Sequence, residues 1–184
     1  MNTPKITKKW LKEKDACRDG YEWALKVLDD KPMDVIKFIH TLLDDDKWDW
    51  ANWIIVRVMT RTQYLQYAIF SAEQVIDIYE KKYPKDDRPR KAIEAANKVL
   101  KEDTKENRIN AANAANAASA ASAASAAAYA AYDAASAAAN AAYDAASAAA
   151  YDAASAAADA ADEESRKIIQ NKIINYGIKL LGGR

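Results

Sequence analysis

The sequence predicts an all-α fold, and three observations carry that prediction. From Ala111 to Asp162 about two residues in three are alanine, and neither glycine nor proline interrupts them. Alanine is the strongest helix former, because it loses no side-chain entropy in a helix and hides no polar group. Outside that tract apolar residues recur at steps of three and four, the spacing of one helical face. No stretch alternates with the two-residue period of a half-buried strand. The architecture expected is a compact multi-helix domain, with tryptophan-rich N-terminal helices packed against closely spaced antiparallel alanine-rich helices and a C-terminal amphipathic helix. At 184 residues the chain fits one domain. Residues 1–103 would form a mixed core, 104–164 the alanine-rich helices and 165–184 a closing helix.

Met1 to Ile6 reads as loose chain. Thr7 is placed to cap a short helix carrying Trp10 and Leu11. Gly20 separates it from a helix over 21–28, where Tyr21, Ala24, Leu25 and Leu28 share a face. Pro32 suits the first position of the next helix, whose stripe is Val35, Ile36, Ile39, Leu42 and Leu43. Asp44, Asp45 and Asp46 lack the alternate spacing and the glycine of a calcium loop. One of them is expected to cap the following helix, over 47–60, and the others to favour its positive end. That helix carries Trp48, Trp50, Trp53, Ile54, Ile55, Val56 and Val58 round most of its circumference, so it should lie centrally.

Thr62 is read as the cap of a helix from Gln63 to about Lys82, burying Leu65, Ala68, Ile69, Ala72, Ile76 and Tyr79 before Pro84 stops it. Asp87 and Pro89 open a helix reaching Leu100, with Ile93, Ala96 and Leu100 inward. Asp103 and Glu106 have the spacing of a capping box. As one rod the alanine tract would be about 80 Å long, near twice the diameter of a compact chain of this size. Two or three antiparallel helices are therefore expected, with breaks near 110–116, 125–128 and 140. Ser136, Asn140, Asp144, Ser147 and Tyr151 form one polar stripe, with Tyr129, Asp133 and Tyr143 beside it. After Asp162, Ile169, Ile173, Tyr176 and Leu180 give the last amphipathic helix, which Gly182 and Gly183 stop.

Composition removes several function classes. Formal charge is zero, so no global field draws the chain to nucleic acid or to a membrane surface. No run is apolar enough for a transmembrane span. A single cysteine and a lysine-rich start without an apolar core predict a cytoplasmic protein. His40 is the sole histidine and has no second ligand nearby, so neither metal nor cofactor is expected. No glycine-flanked serine and no phosphate-cradling loop is present, which argues against catalysis. The partner-binding residues expected are Tyr129, Tyr132, Asp133, Tyr143, Asp144, Tyr151, Asp152 and Asp159. Tyrosine gives rigid contact area and carboxylates give steering, so an outward stripe of both suits a basic protein surface. The alanine faces also allow a homodimer.

Trp50–Met59, WANWIIVRVM, and the following QYLQYAIFSAEQVIDIYEKKYPKDDRPRKAIEAA resemble a family of bacterial and phage-borne proteins classed as immunity proteins. The resemblance spans roughly Trp10 to Leu181 and is most specific from Asp49 to Ala96. It implies an antitoxin role: a non-catalytic protein that binds a toxin or effector and masks its working surface, basic if the target acts on nucleic acid. Two other readings remain open. One is a phage-encoded inhibitor of host defence, such as an anti-CRISPR protein. The other is an enzyme or small-molecule binder using a pocket lined by Asp49, Trp50, Trp53 and Arg57.

Overall fold

The computed structural model describes residues 4–122, 126–140, 148–149, 151–153, 155–156, 159 and 162–183. Among them run β1 (Lys5–Ile6), α1 (Lys8–Glu13), α2 (Arg18–Leu28), β2 (Met33–Asp34), α3 (Val35–Asp44) and α4 (Trp48–Val58). There follow α5 (Arg61–Glu73), α6 (Ile76–Lys82), α7 (Arg88–Lys101), α8 (Lys105–Ser122), α9 (Ala126–Asn140) and α10 (Glu163–Leu180). The described residues between 148 and 159 are helical as well. The fold is all-α as expected, apart from one small sheet.

That sheet corrects the reading of Met1 to Ile6 as loose. Lys5 lies opposite Asp34 and Ile6 opposite Met33 in an antiparallel pair, and Val35 N donates to Pro4 O at 3.0 Å. Ile6 is fully buried, so its side chain ties the segment down. Thr7 caps α1 as expected, its Oγ1 accepting from Trp10 N at 3.1 Å. Gly20 does not separate two helices; it sits in the first turn of α2, whose cap is Cys17, with Sγ accepting from Gly20 N at 3.4 Å. Pro32 lies ahead of β2, and α3 is capped instead by Asp34, which accepts from Ile36 N at 2.9 Å.

The aspartate triplet closes α3 rather than opening α4, which begins after Lys47 with no side-chain cap. Asp46 has φ 55°, Asp46 N donates to Leu43 O at 3.0 Å and Lys47 N to Leu42 O at 2.8 Å. This is the pair of bonds that satisfies the last carbonyls of a helix when one residue turns left-handed. Asp15 does the same for α1, with φ 55°, Asp15 N donating to Lys12 O and Ala16 N to Leu11 O. Aspartate tolerates that conformation better than most side chains, because its short polar group bonds locally.

Thr60, not Thr62, caps α5, and Gln63 returns the bond to complete a capping box. The helix expected as far as Lys82 is broken at Gln74–Val75, where no glycine or proline stands, yet all six residues expected inward are buried. Thr104, rather than Asp103, accepts from Asn107 N at 3.1 Å at the start of α8. Asp103 instead pairs with Arg61 Nη1 at 2.8 Å and Arg108 Nε at 2.5 Å.

Of the three expected breaks, the one near 110–116 is absent, and the one near 125–128 is supported by α8 and α9 lying side by side. α8 runs through 110–116 without interruption and α9 spans Ala126–Asn140, while the break expected at 140 borders 141–147, which lie outside the described residues. α8 and α9 lie side by side with only 123–125 between them, so they run antiparallel. α9 is the spine of this half, packed on α5, α6, α7 and α8. Ala130, Ala131, Ala134, Ala135, Ala137 and Ala138 are fully buried there. With Asp133 they cover an arc of about 200° at 100° per residue, which only a helix of small side chains can bury at close range. Arg61 Nη2 donates to Ala138 O at 2.9 Å, which ties α5 to α9.

α10 packs on α4 and α5. Gly177 makes the approach close: a Cβ there would lie 2.8 Å from Tyr67 Cε2 and 2.9 Å from Ile55 Cγ2. Tyr67 is fully buried, and its hydroxyl donates to Asn52 Oδ1 at 3.0 Å. Gln63 Nε2 donates to Leu180 O at 2.6 Å, and Gly182, at φ 90°, ends the helix as expected.

Candidate functional site: the tract surface and the tryptophan cleft

The expected outward stripe is not all outward. Asp133 is buried at 9% exposure, and Asp152 is half-buried. Burial pushes the Asp133 carboxyl far above the usual carboxylate range, and its hydrogen bond to Asp152 raises it further. Burial raises Asp152 too, while the bond it accepts from Asp133 pulls it back. Both carboxyls are thereby shifted toward their protonated forms, burial being the main cause. Asp133 is corrected from a surface residue to an interior one. The physical reason is that an alanine helix offers little contrast between its faces, so a protonated, paired carboxyl fits the inner edge of the buried arc. Tyr151 and Asp159 are exposed as expected. The side chains of Tyr129, Tyr132, Tyr143 and Asp144 lie outside the described residues.

Further along, Glu163, Glu164 and Lys167 surround Ile168 and Asn171 in a shallow depression. Ile168 is 49% exposed and Tyr151 48%. These two are among the few large apolar side chains that the described surface leaves open.

The tryptophan-rich half does not fill completely. A cleft of about 260 Å³ opens between α1, α2, α3 and α4, walled by Trp23, Phe38, Leu42, Trp50, Trp53 and Ile54. Asp15, Cys17, Gly20 and Asp49 also line it. Three of the residues expected for such a pocket, Asp49, Trp50 and Trp53, are brought together. Arg57 is not among the lining residues; its guanidinium lies 3.9 Å from the centre of the Trp53 ring. Trp23 and Phe38, from α2 and α3, were missed because a helical stripe shows which residues share a face and not which helices meet. Trp23 meets Phe38 at 5.6 Å and 75° and Trp50 at 6.0 Å and 60°, so the rings form a corner rather than a stack. Trp23 Nε1 donates to Asp45 Oδ2 at 2.7 Å, which fixes that wall.

Other charged clusters hold the fold. Asp86 accepts from Arg88 Nε at 2.8 Å, from Arg88 Nη2 at 2.6 Å and from the Tyr79 hydroxyl at 2.6 Å. The Arg88 bonds, then that of Tyr79, hold its carboxyl well below the usual range. Arg90 forks onto Glu80 at 2.6 Å, tying α7 to α6. His40 is exposed on α3. Among the described residues no group of His, Cys, Asp and Glu gathers as a metal site would, and no helix is long and apolar enough to cross a membrane.

Comparison with known proteins supports the family resemblance over the part of the chain that follows the tryptophans. No curated protein and no solved structure matches the chain. One family model does match, over residues 55–178, a span that takes in α5 through α9 and nearly all of α10. On that match the chain belongs to the Imm-5 like putative immunity protein family.

Proposed function

We propose that this chain binds a protein toxin and blocks it, without catalysis, through the acidic end of the alanine tract. The observation that carries the reading is the family match over residues 55–178. An immunity role calls for a protein partner, and the surface offers a place for one. Tyr151 and Ile168 supply exposed apolar anchors, and Asp159, Glu163 and Glu164 supply exposed carboxylates close by in the chain. Anchors of this kind carry most of an interface's binding energy, while the charges speed encounter and exclude wrong partners. A basic working surface, such as one that grips nucleic acid, is the natural complement. Tyr129, Tyr132, Tyr143 and Asp144 belong to the same proposed surface. Asp133 leaves it, because it is engaged inside the fold.

The test is co-expression with a candidate toxin, sought first among the products of neighbouring genes. Growth should be restored, and the two purified proteins should form a complex. The triple variant Asp159→Lys/Glu163→Lys/Glu164→Lys should weaken binding by about tenfold or more at moderate salt, mostly through slower association. A complex that forms with undiminished affinity would move the docking surface elsewhere. Failure to protect or to bind would remove the immunity reading itself.

A further inference from the structure

We propose that the tryptophan cleft is a binding site for a small organic cation with a flat apolar body. The walls are three indoles, a phenyl ring and aliphatic side chains. The charged residues among its lining are Asp15 and Asp49, with no lysine or arginine between them. No ion pair among the described residues engages either carboxylate. Aromatic faces carry negative potential, and a carboxylate beside them adds to it, so the site favours a cation over a neutral molecule of equal shape.

The rings are held ready for this. Trp23 is fixed through Asp45, and its inclined contacts with Phe38 and Trp50 leave a concave corner instead of a closed stack. Lys47 already lies over the Trp50 ring at 5.4 Å and Arg57 over Trp53 at 3.9 Å, yet neither lines the cleft. Both rings thus accept a cation in this protein, from residues that are not part of the cleft lining. Size sets the rest of the ligand class. An apolar cavity of about 150 Å³ holds benzene, so about 260 Å³ accommodates one aromatic ring with a short charged arm. Residues 11–54, which build the site, precede the stretch matched by the family, so the proposal stands independently of the immunity reading.

Protonated phenethylamine, neutral 2-phenylethanol and anionic phenylacetate are suitable probes on the full chain. Binding is read by tryptophan fluorescence and by protection of Cys17, the sole cysteine and a lining residue, from a thiol reagent. The cation should saturate at about millimolar concentration or below and slow Cys17 modification. The alcohol should bind about tenfold more weakly, and the acid more weakly still. Asp15 and Asp49 are exposed, so Asp15→Asn/Asp49→Asn keeps the fold and should bring amine and alcohol within about twofold of each other. Equal binding of amine and alcohol by the wild type would overturn the proposal. So would a Cys17 rate that no probe changes, or a preference that survives in the double variant.

Discussion

Gly177→Ala sets two physical effects of opposite sign against each other at one atom. Alanine is favoured over glycine by about 1 kcal/mol in a helix interior, so on propensity alone the variant gains stability. Against this, the new Cβ would meet Tyr67 Cε2 at 2.8 Å and Ile55 Cγ2 at 2.9 Å, both on fully buried side chains. Neither ring nor methyl can retreat freely. Tyr67 is pinned by its hydroxyl to Asn52, and Ile55 lies in the middle of α4. Overpacking of this kind costs about 1–3 kcal/mol, and a strained Tyr67–Asn52 bond adds about 1–3 kcal/mol. The net expectation is a loss of about 1–5 kcal/mol, or a fall in Tm of about 2–20 °C for a chain of this size. Urea denaturation followed by circular dichroism measures the difference. A variant more stable than wild type by the propensity increment would refute the close α10 seam.

Four further substitutions probe the spine and its surroundings. Asp133→Asn keeps a donor for Asp152 and removes the titration. Because burial raises the Asp133 carboxyl, its contribution is fully present below about pH 4 and is lost as pH climbs toward 8. The variant should therefore gain on wild type steadily across that window in paired thermal melts, exceeding it by about 1–2 kcal/mol at the alkaline end; a constant difference would contradict the buried pair. Ala134→Leu, at a fully buried position on α9, should cost at least about 2 kcal/mol. Tyr151→Ser on the exposed side should leave the urea midpoint unchanged. Arg61→Met removes the bonds to Ala138 O and Asp103 and should cost about 1–3 kcal/mol by urea titration.

Most of this fold is legible from the chain alone, and the failures share a cause. Thr7 caps α1, the stripe of α3 is buried at Val35, Ile39 and Leu42, and the six apolar residues expected inward across α5 and α6 all are. Each of those follows from local geometry that a single helix imposes. Asp44–Asp46 were read as an opening signal because aspartate is a good N-cap, while its use as a left-handed C-terminal stop depends on where α3 has already run out of partners. Asp133 was read outward because its spacing joins a polar stripe. That stripe gives a direction round the helix, and only the packing of α5, α6, α7 and α8 about α9 decides which direction is inside. The tryptophan cleft shows the same limit. Trp50 and Trp53 could be named from one helix, whereas Trp23 and Phe38 arrive from two others.

Hydrogen exchange on the complex with the cognate toxin tests the account most directly. The proposed docking surface predicts new protection across 151–168, around Tyr151, Asp159, Glu163, Glu164 and Ile168, with the interior of α9 and the tryptophan cleft unchanged. Protection confined to residues 11–54, or none on binding, would contradict it.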